Sequence, residues 1–459
     1  MKRRLSWFLA LSVLLLTGCI DSYPKPAPRS LMDINHSATA DSQLAIAVDS
    51  GGAKYLLHAE CPSGSNPSCE LTYEMTHIGE VGVLWYFTPA SGYTFRNPDI
   101  VVTDSGPAYM IWQNCPANNV NGRECSTWYT TSDQMDPQVL DLGTHSLSAP
   151  ILASRGDTVY AVHEVTNDYA TGSVLRFCRI SDAGFGCHFV SDHPVADDGI
   201  RRTNPAAAVS TAGSLHVAWL QGSGNSKTGY LNDNYGAVDV DMAHELQYET
   251  GPFFPPAISI ESDDGYLYIA MAADESSSDW MRLYYCAPSD CKNVGGLKTI
   301  DLPAAKSWYF YGGPAIASTS DRVWIVFSAH NNDHINQGDL YMTACYPNGS
   351  TCTPSRLEPF YTGTDHACHP RIGLVDGLVP VIGWHICGFP TMADDIYFYD
   401  LVNGKKIIHS TDWNGRGGLD MAVNGEYVAG IWNEIQSDGR LATWLAFNAH
   451  MTYIPAVRK

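Results

Sequence analysis

Basic side chains are scarce in this chain: 27 Lys and Arg stand against 48 Asp and Glu, a formal charge of -21 over 459 residues. That balance argues against nucleic acid or an anionic lipid surface as partner, because both are polyanions. Familiar catalytic signatures are missing as well. There is no G-x-S-x-G elbow, no H-E-x-x-H and no phosphate-cradling glycine loop, so three common routes to catalysis have no sequence support. The apolar run near the start, Leu5 to Leu16, is too short for a permanent helical span. What the chain has in abundance is 40 Gly, 26 Pro, 25 Tyr, 14 Phe and 12 Trp, a composition that favours short strands and turns over helices.

Lys2, Arg3 and Arg4 precede the apolar run, the layout of an export signal. Leu16-Thr17-Gly18-Cys19 resembles a lipobox, the motif at which bacterial lipoproteins are cut before a cysteine that then carries acyl chains. The resemblance implies a signal peptide over 1–18, lipid on Cys19, and anchoring through acyl chains whose buried methylenes contribute roughly 0.8 kcal/mol each. It places the protein in the cell envelope: on the outer membrane in a Gram-negative cell, where Ile20 after the cysteine favours that sorting, and otherwise on the cell surface. Residues 19–42, with three prolines among small polar residues, read as a tether.

Thirteen cysteines is an odd number for an exported chain. Setting Cys19 aside leaves close pairs: Cys61 with Cys69, Cys115 with Cys125, Cys178 with Cys187, Cys286 with Cys291, Cys345 with Cys352, and Cys368 with Cys387. No pair has the two-residue spacing of a zinc knuckle, and the expectation is about six disulfides, each worth about 2–3 kcal/mol.

From residue 43 to 459 one phrase recurs: proline or its substitute, an alternating strand, a Gly or Asp turn, and a second alternating strand that often ends in Trp. It begins at Gln43, Pro98, Pro150, Pro205, Pro256, Pro314, Pro370 and Leu419, at nearly equal steps. A further strand pair follows, as in MRLYYC from Met281 and GLKTIDL from Gly296. Four antiparallel strands in each repeat make a propeller blade. The prediction is an all-β propeller of eight four-stranded blades, with seven as the alternative, the last unit supplying its own third and fourth strands from RLATWLAFNA and MTYIPAV. Trp112, Trp219, Trp384 and Trp432 share one place in the repeat and are predicted to be core between blades.

The phrase from Pro205 to Trp219 resembles the repeats of sialidase-like propellers, the BNR-containing superfamily. That superfamily's S-x-D-x-G-x-x-W box is absent from every unit. The resemblance implies the fold, and the fold hosts hydrolases, lyases, lectins and scaffolds alike.

In such a fold the loops joining strands two and three, and those joining blades, share the face where ligand sites gather. Arg96, Glu164, Arg201, Arg202, Asp274, Asp333 and Arg416 are placed there, with the densest cluster in units six and seven: His330, His334, His366, His369, His385, Tyr311 and Arg371. These residues are candidate metal ligands or acid–base groups of a polysaccharide lyase, with ordinary loop hydrogen bonding as the plainer reading. Arginines at blade junctions equally suit buried aspartates. Trp308, Tyr309 and Tyr311 belong to a run of four aromatics that cannot all point inward, and are candidate binding residues. No cofactor is assigned; calcium at the acidic stretches from Ala196 and Gly236, or a histidine-bound metal, are the alternatives. The leading expectation is a binding or scaffold module for a protein partner or glycan. The alternative is a lyase or sialidase-like hydrolase acting on acidic glycans.

Overall fold

The structure, a computed structural model, describes residues 32–37, 44–60, 68–77, 80–118, 124–141, 145–166, 172–189, 201–223, 226–232, 243–246, 256–261, 265–275, 278–287, 298–303, 308–310, 314–331, 339–346, 351–353, 359–361, 366–387, 396–400, 405–409, 419–435 and 441–448. The chain divides into two units, Met1–Met32 and Asp33–Lys459. The lipobox with Cys19 lies outside the described residues. Among the described residues no helix is long and apolar enough to cross a membrane.

Every assigned element in the described chain is a β-strand. The predicted hairpins form as the alternation requires: Tyr93–Val102 pairs antiparallel with Ala108–Pro116, and His366–Val375 with Val379–Cys387. The first strands lie innermost. Each packs beside its successor in chain order, and Leu419–Asn424 packs beside Leu44–Val48 to close the circle.

The expected count of eight four-stranded blades, or seven, is corrected. Six sheets are four-stranded blades, and two further sheets have five and six strands. The reason lies at the prolines. His145–Ser146 and Ile151–Arg155 both pair with Thr158–Thr166, on either side of Pro150. Trp308–Phe310 and Ala315–Ser318 both pair with Val323–Asn331, on either side of Pro314. Proline has no N–H to give the ladder; at Pro98, Pro205 and Pro370 a register shift carries the strand past it, and at Pro150 and Pro314 the strand is divided instead. In the six-stranded sheet the outer edge is broken too, into Cys352–Thr353 and Pro359–Tyr361.

The last unit also differs from expectation. Its sheet runs Leu419–Asn424, Tyr427–Ile435, Leu441–Asn448 and then Met32–Ser37. The outer position is therefore filled by chain from the stretch read as a tether, while MTYIPAV lies outside the described residues.

Three disulfides are described rather than about six: Cys115–Cys125, Cys178–Cys187 and Cys345–Cys352. Cys178 faces Cys187, and Cys345 faces Cys352, as register partners of adjacent strands. Cys69, Cys286 and Cys368 are also disulfide-bonded, whereas Cys61, Cys291 and the side chain of Cys387 lie outside the described residues.

Between blades the core is built mainly of apolar side chains. Trp112, Trp219, Trp384 and Trp432 are buried, as predicted, with Trp112 against Phe87 and Phe95 and Trp384 stacked on Tyr397 at 5.1 Å. Burying a large aromatic contributes several kcal/mol by area alone, at roughly 25 cal/mol per Å².

Candidate functional site

The repeat gives each first strand a common level, fixed by register: the residue paired with the one just before the repeat's Trp. At that level stand Asp99 opposite Ile111, Arg371 opposite Gly383 and Asp420 opposite Ile431. The other units place Ala45, Ile151, Ala206, Ala257 and Ala315 there. Three charged groups thus interrupt a ring of small or apolar residues, on neighbouring or next-neighbouring strands.

The two carboxylates make the same connection. Asp99 Oδ2 accepts the N–H of Leu152 at 2.6 Å, and Asp420 Oδ2 accepts the N–H of Ile46 at 3.1 Å. Each reaches the following unit and satisfies a backbone donor there. Asp99 Oδ1 also accepts the N–H of Ile100. Arg371 Nε lies 3.5 Å from Asp420 Oδ1 with its side chain about half open. Burial raises the Asp99 carboxyl to about 7, with the Asp420 charge adding and the hydrogen bonds and Arg371 opposing. Asp420 is also raised by burial, against the pull of Arg371. Neither aspartate was singled out from sequence, although a charge at a level elsewhere filled by Ala or Ile was the available signal.

Directly before this level the chain is strained. Asn97, Asn204 and His369 have φ of 51°, 52° and 45°. Each precedes a proline, and the ladder slips register at each. Left-handed backbone before proline is a sparsely populated state costing of order 1–3 kcal/mol. The bulge re-aims the strand, bringing His369 over His385 with ring centroids 5.4 Å apart and planes at 23°. His385 is buried, and among the described residues its Nδ1 has no hydrogen-bond partner. Burial lowers its pKa to about 3, with His369 and Arg371 contributing; His369 is also lowered, by burial and Arg371. Both imidazoles are therefore neutral near pH 7.

Of the sequence-derived cluster, the structure brings together His369, His385 and Arg371. His330 sits opposite Tyr309 in register, and Trp308 opposite Asn331; His366 stands opposite Cys387. The side chains of these residues, and His334, Tyr311 and Arg416 entirely, lie outside the described residues, as do the acidic stretches considered for calcium. Other candidates have structural partners. Glu164 is buried, accepting from Ser173 Oγ at 2.6 Å and from Arg201 at 3.0 Å, and buried Arg202 donates to Ser173 O at 2.7 Å. Among the described residues, the one group with metal-ligand spacing is His163 with Cys178 and Cys187. Those sulfurs are bonded to each other, which leaves no thiolate to bind a metal.

No family model and no curated relative matches the chain. Among solved structures the chain is distantly similar to several proteins. A prolyl endopeptidase matches at 11% identity and TM-score 0.49, over 87% of this chain and 55% of that one; the chain thus spans about half of that protein's length. A polysaccharide lyase, Uly1, matches at 8% identity and TM-score 0.44, over 94% of each chain. Trypanosoma rangeli sialidase matches at 10% identity and TM-score 0.36, over 79% of this chain and 56% of that one. The chain is a β-propeller by its own sheets and their packing.

Proposed function

We propose that this protein is an envelope-anchored glycan hydrolase whose site is the inner-strand cluster of Asp99, Arg371 and Asp420. The observation that carries this reading is the pairing of two carboxyl groups at one level of the ring, one of them against Arg371. Asp99, at about 7, is partly protonated at neutral pH and is matched to give a proton to a departing sugar oxygen. Asp420 is raised by burial as well, but of the two it alone lies against Arg371, at 3.5 Å, which opposes that shift; its carboxylate is assigned the complementary role in glycoside hydrolysis. In the reaction the glycosidic C–O bond breaks, the leaving oxygen takes the Asp99 proton, and water adds hydroxide to the anomeric carbon. The proton left from water returns to the carboxylate. Histidine, the expected acid–base group, suits this less: a group at about 3, such as His385, is a weak base at neutral pH.

The test is a panel of neutral and acidic polysaccharides followed for new reducing ends and for the ultraviolet absorbance of unsaturated uronate. Reducing ends without that absorbance, lost at least a hundredfold in Asp99→Asn, support hydrolysis. Absorbance at the uronate band would instead make the protein a lyase, and silence across the panel would remove the enzymatic reading.

A second reading, a binding or scaffold module, is favoured by the two aspartate-to-backbone ties, which lock neighbouring first strands together. Either reading places the protein on the envelope through lipid on Cys19. Incorporation of labelled palmitate that disappears in Cys19→Ala supports the anchor, and incorporation that persists excludes it.

A further inference from the structure

Units two and seven use the same two positions differently. In unit two the left-handed residue is Asn97, whose side-chain amide donates to Gln113 Oε1. Gln113 in turn donates to Ser146 O at 3.0 Å and Ser146 Oγ at 2.9 Å in the next unit. The pair closes on itself and ties two blades. In unit seven those positions hold His369 and His385, as the register with Arg96 and Cys368 shows.

Two stacked imidazoles cannot hydrogen-bond each other, since their donors and lone pairs lie in the ring planes. The pair therefore spends none of its polar capacity internally. Among the described residues His385 Nδ1 is buried and unpartnered, which weakens a folded chain. His369 carries the cost of left-handed backbone as Asn97 does, without the side-chain hydrogen bond that Asn97 gains. A pair that weakens the fold where a sister unit strengthens it is suited to something outside the chain. Near-parallel rings also do not converge their lone pairs on one metal ion.

We propose that His369 and His385 form a subsite for a hydroxyl group of an uncharged sugar, beside the Asp99–Arg371–Asp420 cluster. A neutral imidazole offers one donor and one acceptor in its plane, the complement of a sugar hydroxyl. A carboxylated sugar fits poorly here. Among the described residues Arg371 is the one cation at this level, and it is already engaged by Asp420, with Asp99 close by. The ligand class thus differs from the acidic glycan expected from sequence. The subsite rests on the glycan reading but not on turnover.

The experiment uses the full chain on an array of neutral and uronate-containing polysaccharides, with His369→Asn/His385→Gln as the key variant. This variant installs unit two's own pair, and Asn at the same φ is already tolerated at Asn97 and Asn204. Expected are binding confined to neutral glycans, affinity at least tenfold lower in the double variant, and a melting temperature equal to or above wild type. Binding confined to uronate glycans, no binding at all, or a double variant that binds like wild type would each overturn the subsite. If the double variant melts lower, His369→Asn alone decides, with the same tenfold criterion. Loss of binding in the variants without turnover in any protein would keep the subsite and remove the hydrolase.

Discussion

Asp99 has its strongest consequence in how stability varies with pH. Its folded pKa, about 7, lies above the roughly 3.9 of an unfolded aspartate. The folded chain holds this proton more tightly, so the contribution is complete below about pH 4 and is lost as pH rises through about 7. Asp99→Asn removes that loss while keeping an oxygen for the Leu152 N–H. Urea unfolding should find the variant gaining on wild type by about 1–3 kcal/mol between pH 5 and pH 8; no change would mean that the carboxyl is not perturbed. His163 and His385 act with the opposite sign. Their folded values, about 3, lie below the ordinary 6.5 of histidine. Stability from them is complete above about 6.5 and falls toward pH 3. His163 is buried, paired with Thr127 Oγ1 at 3.1 Å, and His163→Gln should flatten the acid side of the curve. At this scale the sequence showed the histidines by their density. It did not show the aspartates, because an isolated Asp after Pro98 or Leu419 has meaning only once register aligns it with Ala and Ile in the other units.

The strands were legible element by element, since alternating apolar residues with Gly or Asp turns have few other ways to fold. Asp339–Cys345 runs over DLYMTAC as predicted. The breaks at Pro150 and Pro314 were not legible, because the same proline is carried within an unbroken strand at Pro98, Pro205 and Pro370. What separates the two outcomes is the bulge before it, a property of backbone conformation. Packing between the last two units is set by glycine: a methyl on Gly430 would overlap the Phe398 ring, and one on Gly373 would overlap Val423. Gly430→Ala should cost about 1–3 kcal/mol by overpacking, read as a lower denaturant midpoint with unchanged slope. Removing the Cys345–Cys352 bridge with paired serines should cost about 2–3 kcal/mol by loosening the unfolded chain, and a smaller loss would point to residual structure there.

For the whole molecule, closure depends on residues far apart in sequence. Met32–Ser37 completes the sheet of Leu419–Ile435 and Leu441–Asn448, and Asp420 ties that unit to Ile46. The closing strand was hidden in sequence because MDINHS is mostly polar and stands beside a proline-rich stretch. Deleting residues 32–37 should expose the edge of Leu441–Asn448, lower the melting temperature by several degrees and promote association. A variant that melts like wild type would show the strand to be dispensable. The ring that this closure completes is also what sets Asp99, Arg371 and Asp420 on a common level, so the proposed chemistry depends on it.

The most direct measurement of that chemistry is the pH profile of kcat/KM on whichever polysaccharide the wild-type protein cleaves, with Asp99→Asn beside it. The account predicts activity that falls as pH rises through about 7, where Asp99 loses the proton it must donate, and a variant at least a hundredfold slower with that limb abolished. Activity that holds or climbs between pH 7 and 9, or a variant retaining the wild-type limb, would contradict it.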